Sequence, residues 1–208
     1  MTVVNGYLTQ AEALSYVKAA NTSSEFVEDC VTAASRMIDN YCSRDFYKVG
    51  TVDDPVARTF PVESVNCLRF GTHNDLVSVT TLKTDAAGDG TYETTIAASA
   101  YELGPLNAAA RNEPFLSLRL FTGTTFPTTT TGRSDLIQIT GVWGWPVVPA
   151  EVKAACRVLF AELVKLQDAP LGFAGGMEMG TAYVGSMAWR KATALLGPLR
   201  HPDGFGIA

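Results

Sequence analysis

The sequence predicts an α+β protein: a helical bundle formed by N- and C-terminal helices, with an antiparallel β sheet or sandwich inserted between them. Three observations carry this. Apolar residues recur at three- and four-residue spacing within residues 1–50 and again after residue 149. Between those regions, β-branched residues fill short runs of strand character. Clusters of Gly, Asp and Pro separate the runs, as turns require.

Thr9-Gln10-Ala11-Glu12 reads as a capping box, in which the Thr hydroxyl takes one orphan amide and Glu12 reaches back to another. A short helix follows to about Ala19. Thr22-Ser23-Ser24-Glu25 repeats the signal and opens a longer helix. Its stripe is Phe26, Val27, Cys30, Val31, Ala34, Ile38, Tyr41 and Cys42, ending near Ser43-Arg44. Leu76–Leu82 then reads as a strand, Asp85–Gly90 as a turn and Tyr92–Ile96 as the returning strand of a hairpin. Tyr101–Leu103, Phe115–Leu120 and Asp135–Thr140 are further strands, the last ending at Gly141-Val142. Pro149 opens the third helix at a position where a missing N–H costs nothing. Its apolar face is Val152, Ala155, Cys156, Leu159, Phe160, Leu163 and Leu166. A Gly-rich loop, 169–186, precedes a last helix, 187–196, which Gly197-Pro198 ends. The expected organisation is a helical pair over 1–50, a β-rich insertion over 51–142, C-terminal helices over 143–200 and a tail over 201–208. The second and third helices are expected to meet through Val31, Ile38, Val152, Leu159 and Leu163.

Composition narrows the function classes. A chain of 208 residues with 47% hydrophobic content can build a core without staples. Charged residues are 18%, below the common value of about 25%, which suits a surface covered by partners. There is no apolar run long enough for a membrane helix, and Met1–Asn5 lacks the pattern of a secretory leader. Net charge is −5. Residues 1–50 carry four Lys+Arg and six Asp+Glu, residues 51–150 carry six and ten, and residues 151–208 carry six and five. Without a basic stripe, DNA could pass near this protein but would not be gripped.

Chemistry-bearing motifs are thin. Cys30, Cys42, Cys67 and Cys156 form no metal-ligand spacing, and Cys30 and Cys42 stand about 18 Å apart on one helix, too far for a disulfide. Buried reduced thiols are expected. The two histidines, His73 and His201, fall in a turn and in the tail. Asp85, Asp89 and Gly90 have the residues of a calcium loop without its alternating oxygen ligands, so a plain turn is expected. Gly172–Gly176 lacks the preceding strand and following Lys-Ser/Thr of a phosphate cradle. Trp143 and Trp145 could form a sugar-stacking platform, but packing of the indoles over the start of the third helix is the plainer expectation. No catalytic residue, cofactor or metal is assigned. The Thr-rich stretch 122–131 reads as a solvated hairpin tip or as a tip that reaches a neighbouring subunit.

Three segments bear on identity. Tyr7-Leu8-Thr9-Gln10-Ala11-Glu12-Ala13 comes first, then Ala33–Phe46, which reads AASRMIDNYCSRDF, then Ile139–Ala155, which reads ITGVWGWPVVPAEVKAA. Together, in this order and spacing, they resemble the head–tail connector (adaptor) family of tailed bacteriophages and related gene-transfer particles. Trp143 and Trp145 in the aromatic turn and a large strand-rich insertion depart from the family pattern. The resemblance implies a non-enzymatic virion protein, made in the host cytoplasm and sited at the neck. It implies a ring of about a dozen copies, a dodecamer, closed by heterologous contacts. Its partners would be further copies of itself, the portal protein, and the next neck, stopper or tail protein. Genome DNA would pass through the lumen without specific binding, and no membrane is involved. Exposed tips and tails serve such contacts, which points to Thr128 and Thr129 in the Thr-rich stretch and to Phe173, Met177, Met179 and Tyr183 in the Gly-rich loop. His201, Phe205 and Ile207 in the tail complete the set. The alternative is a β-sandwich module that binds a glycan or host-surface ligand, and an unrecognised enzyme is a third reading.

Overall fold

The structure, a computed structural model, describes residues 5–16, 23–128, 132–168, 173–174, 182–183 and 186–202. It is an α+β fold, as the sequence predicts. The chain divides into two compact units: residues 1–47 with 148–208, and residues 48–147.

The first unit is helical. α1 (Gln10–Tyr16) begins at the capping box: the Thr9 N–H donates to Glu12 Oε2 at 2.8 Å and the Glu12 N–H donates to Thr9 Oγ1 at 3.2 Å. The expected end of this helix near Ala19 lies outside the described residues. α2 (Ser24–Cys42) starts at Ser23, whose hydroxyl accepts from the Phe26 N–H at 3.3 Å. It ends at Ser43 in the left-handed conformation, with the Arg44 N–H on the Asp39 carbonyl at 3.2 Å, a helix stop that satisfies a terminal carbonyl. α3 (Ala150–Asp168) follows Pro149, which sits one residue earlier than expected, with its carbonyl taking the Lys153 N–H. α4 (Ser186–Leu196) completes the bundle and runs on into a short 3₁₀ turn, Gly197–Leu199. Val27, Val31, Ala34, Ile38, Val152, Ala155, Leu159 and Phe160 are all buried where α2 and α3 pack. Leu163, expected in this core, is only half-buried, and Val164 is buried one residue on. A nineteen-residue helix turns its inward stripe slowly around the axis, so a stripe extrapolated to its end slips by one position.

Polar residues tie this bundle together. The Tyr7 hydroxyl donates to Asp39 Oδ1 and accepts from the Phe46 N–H at 2.9 Å. The Tyr7 N–H donates to Ser35 Oγ at 3.1 Å, while the Ser35 hydroxyl donates back to the Val31 carbonyl. Asp39 also receives Arg36 at 3.1 Å, and the Arg36 guanidinium donates to the Asn5 carbonyl at 2.7 Å. On the far side of the α2 terminus, Arg44 Nη1 donates to the Leu199 carbonyl at 3.3 Å, and the His201 N–H donates to the Cys42 carbonyl at 2.8 Å. Burial, then the charge of Asp39 and the hydrogen bond to it, hold the Tyr7 phenol protonated well above its ordinary value. The Ala33–Phe46 motif thus binds the chain's beginning and its C-terminal turn at once.

The second unit is a small β sandwich of seven strands. One sheet runs β1 (Val56–Phe60), β7 (Ile137–Trp143), β3 (Leu76–Thr84) and β4 (Thr94–Ile96). The other runs β2 (Cys67–Arg69), β6 (Ser117–Leu120) and β5 (Tyr101–Gly104). Every pairing is antiparallel. The two inner faces share one core, including Phe60, Leu68, Phe70, Leu76, Leu82, Leu118, Leu120, Ile139 and Trp143. Leu118 and Leu120 point inward, as alternation in the strand requires. The β3–β7 pairing shifts register twice, once between Leu76 and Ser78 and once between Val79 and Thr81. Gly141 sits at that irregularity, and a Cβ there would stand 2.1 Å from the Ser78 carbonyl oxygen. Only glycine lets the two backbones come this close.

Three stability predictions follow from these contacts. Leu159→Ala should cost about 2–5 kcal/mol, because Leu159 is 3% exposed in the bundle core. Tyr7→Phe should cost about 1–3 kcal/mol, since it strands a buried carboxylate and a backbone amide. Gly141→Ala should cost about 1–3 kcal/mol through forced backbone displacement. Equilibrium urea unfolding measures all three; a loss under half of the lower bound would place the residue outside the role given to it.

Candidate functional site

The aromatic turn belongs to the β sandwich. β7 continues one residue beyond its expected end at Gly141-Val142, through Trp143. The Trp143 Nε1–H donates to the Val56 carbonyl at 2.8 Å, its ring meets Phe60 at a tilt and Phe70 edge-on, and Arg58 lies 4.7 Å over it. The Trp145 Nε1–H donates to Asp75 Oδ2 at 3.0 Å, and the Gly144 N–H donates to the Asp75 carbonyl. Both indoles are buried. Buried, they offer no open sugar-stacking platform, and their indole N–H groups donate to the Val56 carbonyl and the Asp75 carboxylate. A buried indole needs an acceptor; Asp75, seventy positions from Trp145, gave no sign of that role in the sequence.

The Asp85 turn closes on itself. The Asp85 carboxylate accepts from the Gly88, Asp89 and Gly90 N–H groups at 2.6, 3.3 and 2.7 Å. Burial pushes this carboxyl up, but the three amides and the nearby Arg133 outweigh it and hold the group below the usual carboxylate value. Arg133 in turn pairs with Asp135 at 2.8 Å. The carboxylate is an internal staple for the turn. Among the described residues no three His, Cys, Asp or Glu side chains are arranged to hold a metal ion.

The cysteines are free, with Cys30, Cys42 and Cys156 buried and Cys67 half-buried. Desolvation raises all three buried thiols, Cys42 to about 12 and Cys156 to about 11. Ser35 lies 3.7 Å from the Cys156 sulfur, so this thiol is part of the bundle core.

Two surface features lie at the two ends of the three-stranded sheet. At one end lies a cleft of about 480 Å³. Its walls include Val65, Glu102, Arg119, Phe121 and Thr124. Glu102 and Arg119 are direct cross-strand neighbours of β5 and β6. Val65 is 50% exposed and Phe121 44%. The Phe126 N–H donates to the Val65 carbonyl and the Phe121 N–H to the Ala100 carbonyl, so the start of the Thr-rich stretch is fixed against the sheet. At the opposite end, β5 runs into the loop 105–114. There Leu106 is 70% exposed, and Arg111 and Glu113 form a surface ion pair at 2.8 Å. The amides of Arg111 and Glu113 both donate to the Ala108 carbonyl, and Ala108 itself is buried, so the loop is internally braced.

The residues assigned to partner contacts on sequence grounds scatter across these features. Thr128 is exposed, four residues beyond the cleft wall at Thr124. Phe173 and Tyr183 are directly opposed on a two-stranded antiparallel ladder, β8 (Phe173–Ala174) with β9 (Ala182–Tyr183), so the Gly-rich segment contains a strand pairing rather than loop alone. Thr129, Met177, Met179, Phe205 and Ile207 lie outside the described residues. His201 is corrected: it is 2% exposed, and its backbone joins the Cys42 carbonyl, so it anchors the bundle instead of projecting from a tail. The cleft itself was missed. Its residues come from two strands and two loops, and no single stretch of sequence carries the signal.

Comparison with known proteins places the fold. No protein-family model matches the chain, and no curated protein matches it. Among solved structures, the chain is similar to one from the neck of an empty gene-transfer-agent (GTA) particle determined with C6 symmetry. The match has a TM-score of 0.60 at 19% sequence identity and covers 100% of this chain and 96% of that one. The likeness therefore spans the residues of both the helical unit and the β sandwich.

The Asp85 turn yields a pH prediction. A carboxyl held below its unfolded value adds stability at pH above the ordinary 3.8, and that stability fades as the pH falls through the lower folded value. Acid titration of the melting temperature should therefore show a steeper decline in the parent protein than in Asp85→Asn; parallel curves would show that the turn contributes nothing to acid sensitivity.

Proposed function

We propose that this protein is a structural component of the neck of a tailed-phage-like particle, where copies of it form a ring that joins the portal at the capsid vertex to the tail or next neck protein. The observation that carries this reading is the full-length fold likeness to a chain of a GTA neck. The three sequence segments add to it independently. In the structure, two of them meet through Tyr7, Asp39 and Phe46, which explains why they occur together. The role is mechanical. Each copy contributes a braced helical bundle and a compact sandwich, and the work is done by surfaces that meet other subunits.

A ring of about a dozen copies would close through one heterologous contact repeated around an axis. Its lumen would pass DNA. The excess of acidic residues, 21 Asp+Glu against 16 Lys+Arg, suits a conduit that repels phosphate and lets the genome slide. The Gly-rich segment with Phe173, Met177, Met179 and Tyr183, and the tail with Phe205 and Ile207, are the proposed contacts to portal and neck partners. Apolar anchors of this kind carry most of the energy of such interfaces.

Negative-stain microscopy of the protein mixed with its portal tests the reading. Collars seated on portal rings are the expected result. A protein that stays monomeric beside unoccupied portals, and is missing from purified particles by mass spectrometry, would overturn it.

A further inference from the structure

The three-stranded sheet carries an apolar knob at one end and a cleft at the other. The knob is Leu106, 70% exposed on a loop that is braced at the Ala108 carbonyl and also carries the Arg111–Glu113 pair. The cleft, about 480 Å³, has exposed apolar surface from Val65 and Phe121 and the charges of Glu102 and Arg119. A leucine side chain fits such a volume with room for its flanking residues. β5 connects the two features: Glu102 lies in its first half, and Leu106 follows its end at Gly104. The strand ends two residues after Glu102, and Leu106 sits in the turn beyond it, so the two features lie at opposite ends of one short strand.

A knob and a cleft on one surface would pair two copies face to face. At opposite ends of one rigid sheet, they pair copies head to tail, each copy offering the knob and receiving the next. The charges agree with this. The knob carries one cation and one anion, Arg111 and Glu113, and the cleft carries one of each, Arg119 and Glu102. Set crosswise, Arg111 meets Glu102 and Glu113 meets Arg119, so neither charge is buried without an opposite. The occupant that matches both shape and charge is on the chain itself.

The geometry points to a head-to-tail contact between copies of this protein, in which the Leu106 loop of one copy enters the cleft beside Phe121 and Arg119 of the next. This rests on the ring reading above and supplies the surface pair that would close the ring. It also gives the start of the Thr-rich stretch a role, because Thr124 forms part of the receiving wall.

Disulfide trapping tests it. Leu106→Cys and Thr124→Cys are combined in a Cys67→Ser background, which removes the half-buried native thiol. Under mild oxidation the double variant should give a ladder of linked oligomers, while each single variant gives no ladder. Leu106→Asp should weaken self-association at least about tenfold with an unchanged melting temperature, as expected for an exposed anchor residue. Glu102→Arg with Arg119→Glu should weaken it as well, and adding Arg111→Glu with Glu113→Arg should restore it. Rings that form equally well from Leu106→Asp, with no ladder from the double variant, overturn the contact and leave the ring reading standing. A ladder made of open chains, with no closed rings by microscopy, keeps the contact and removes the ring. No linkage, and no collar even with the portal present, overturns both.

Discussion

The buried carboxylate of Asp39 is the constraint on which the helical unit depends. It sits one turn before the end of α2, where Tyr7 and Arg36 converge on it. A carboxylate taken out of water is tolerable only when its lone pairs are met by donors of good geometry. Meeting that demand fixes the path of the chain before α1, because the Tyr7 ring must reach Asp39 while its backbone reaches Ser35. The same hydroxyl then takes the Phe46 amide, which sets the direction in which the chain leaves α2. The Ser43 stop, the Arg44 bond to Leu199 and the Cys42 bond to His201 follow within five residues of Asp39. Truncating any one of these donors leaves the others with a cost that packing alone cannot offset.

Much of this fold was legible in the sequence, for local reasons. The capping box at Thr9 is short-range chemistry and starts its helix where expected, while α2 is capped by Ser23, one residue beyond the Thr22 that the Thr-x-x-Glu pattern puts first. The α2 stripe follows from helical period, and the β3–β4 hairpin from a run of β-branched residues meeting a Gly- and Asp-rich turn. Errors appear where a distant partner decides. Trp143 stays in its strand because Val56, Phe60 and Phe70 hold it there, and those residues lie more than seventy positions away. Asp39 and Ser35 fall on an otherwise apolar stripe and gain their meaning only from Tyr7. His201 looks like part of a polar tail until the Cys42 carbonyl is seen beside its amide.

The surfaces were less legible than the core. Burial leaves a periodic trace along a helix or strand, whereas a cleft at the end of a sheet gathers single residues from several elements. Glu102 and Arg119 are unremarkable in sequence and become neighbours only through the β5–β6 register. Leu106, in contrast, is an apolar residue in a turn, the kind of exposure that core-seeking logic passes over. The fold likeness to a GTA neck chain therefore extends to both units, while identity of 19% leaves the surface residues free to differ.

The crossing at Val49 and Trp143 has a further consequence. Each backbone N–H donates to the other residue's carbonyl at 3.0 Å, so the chain enters and leaves the sandwich side by side. An H-bonded antiparallel pair of this kind holds its two α-carbons about 5.5 Å apart. The whole of 48–147 is thus gathered at a narrow stem. Lineages could lengthen, shorten or exchange this cassette while keeping the stem width constant, and the grafting points would be undisturbed.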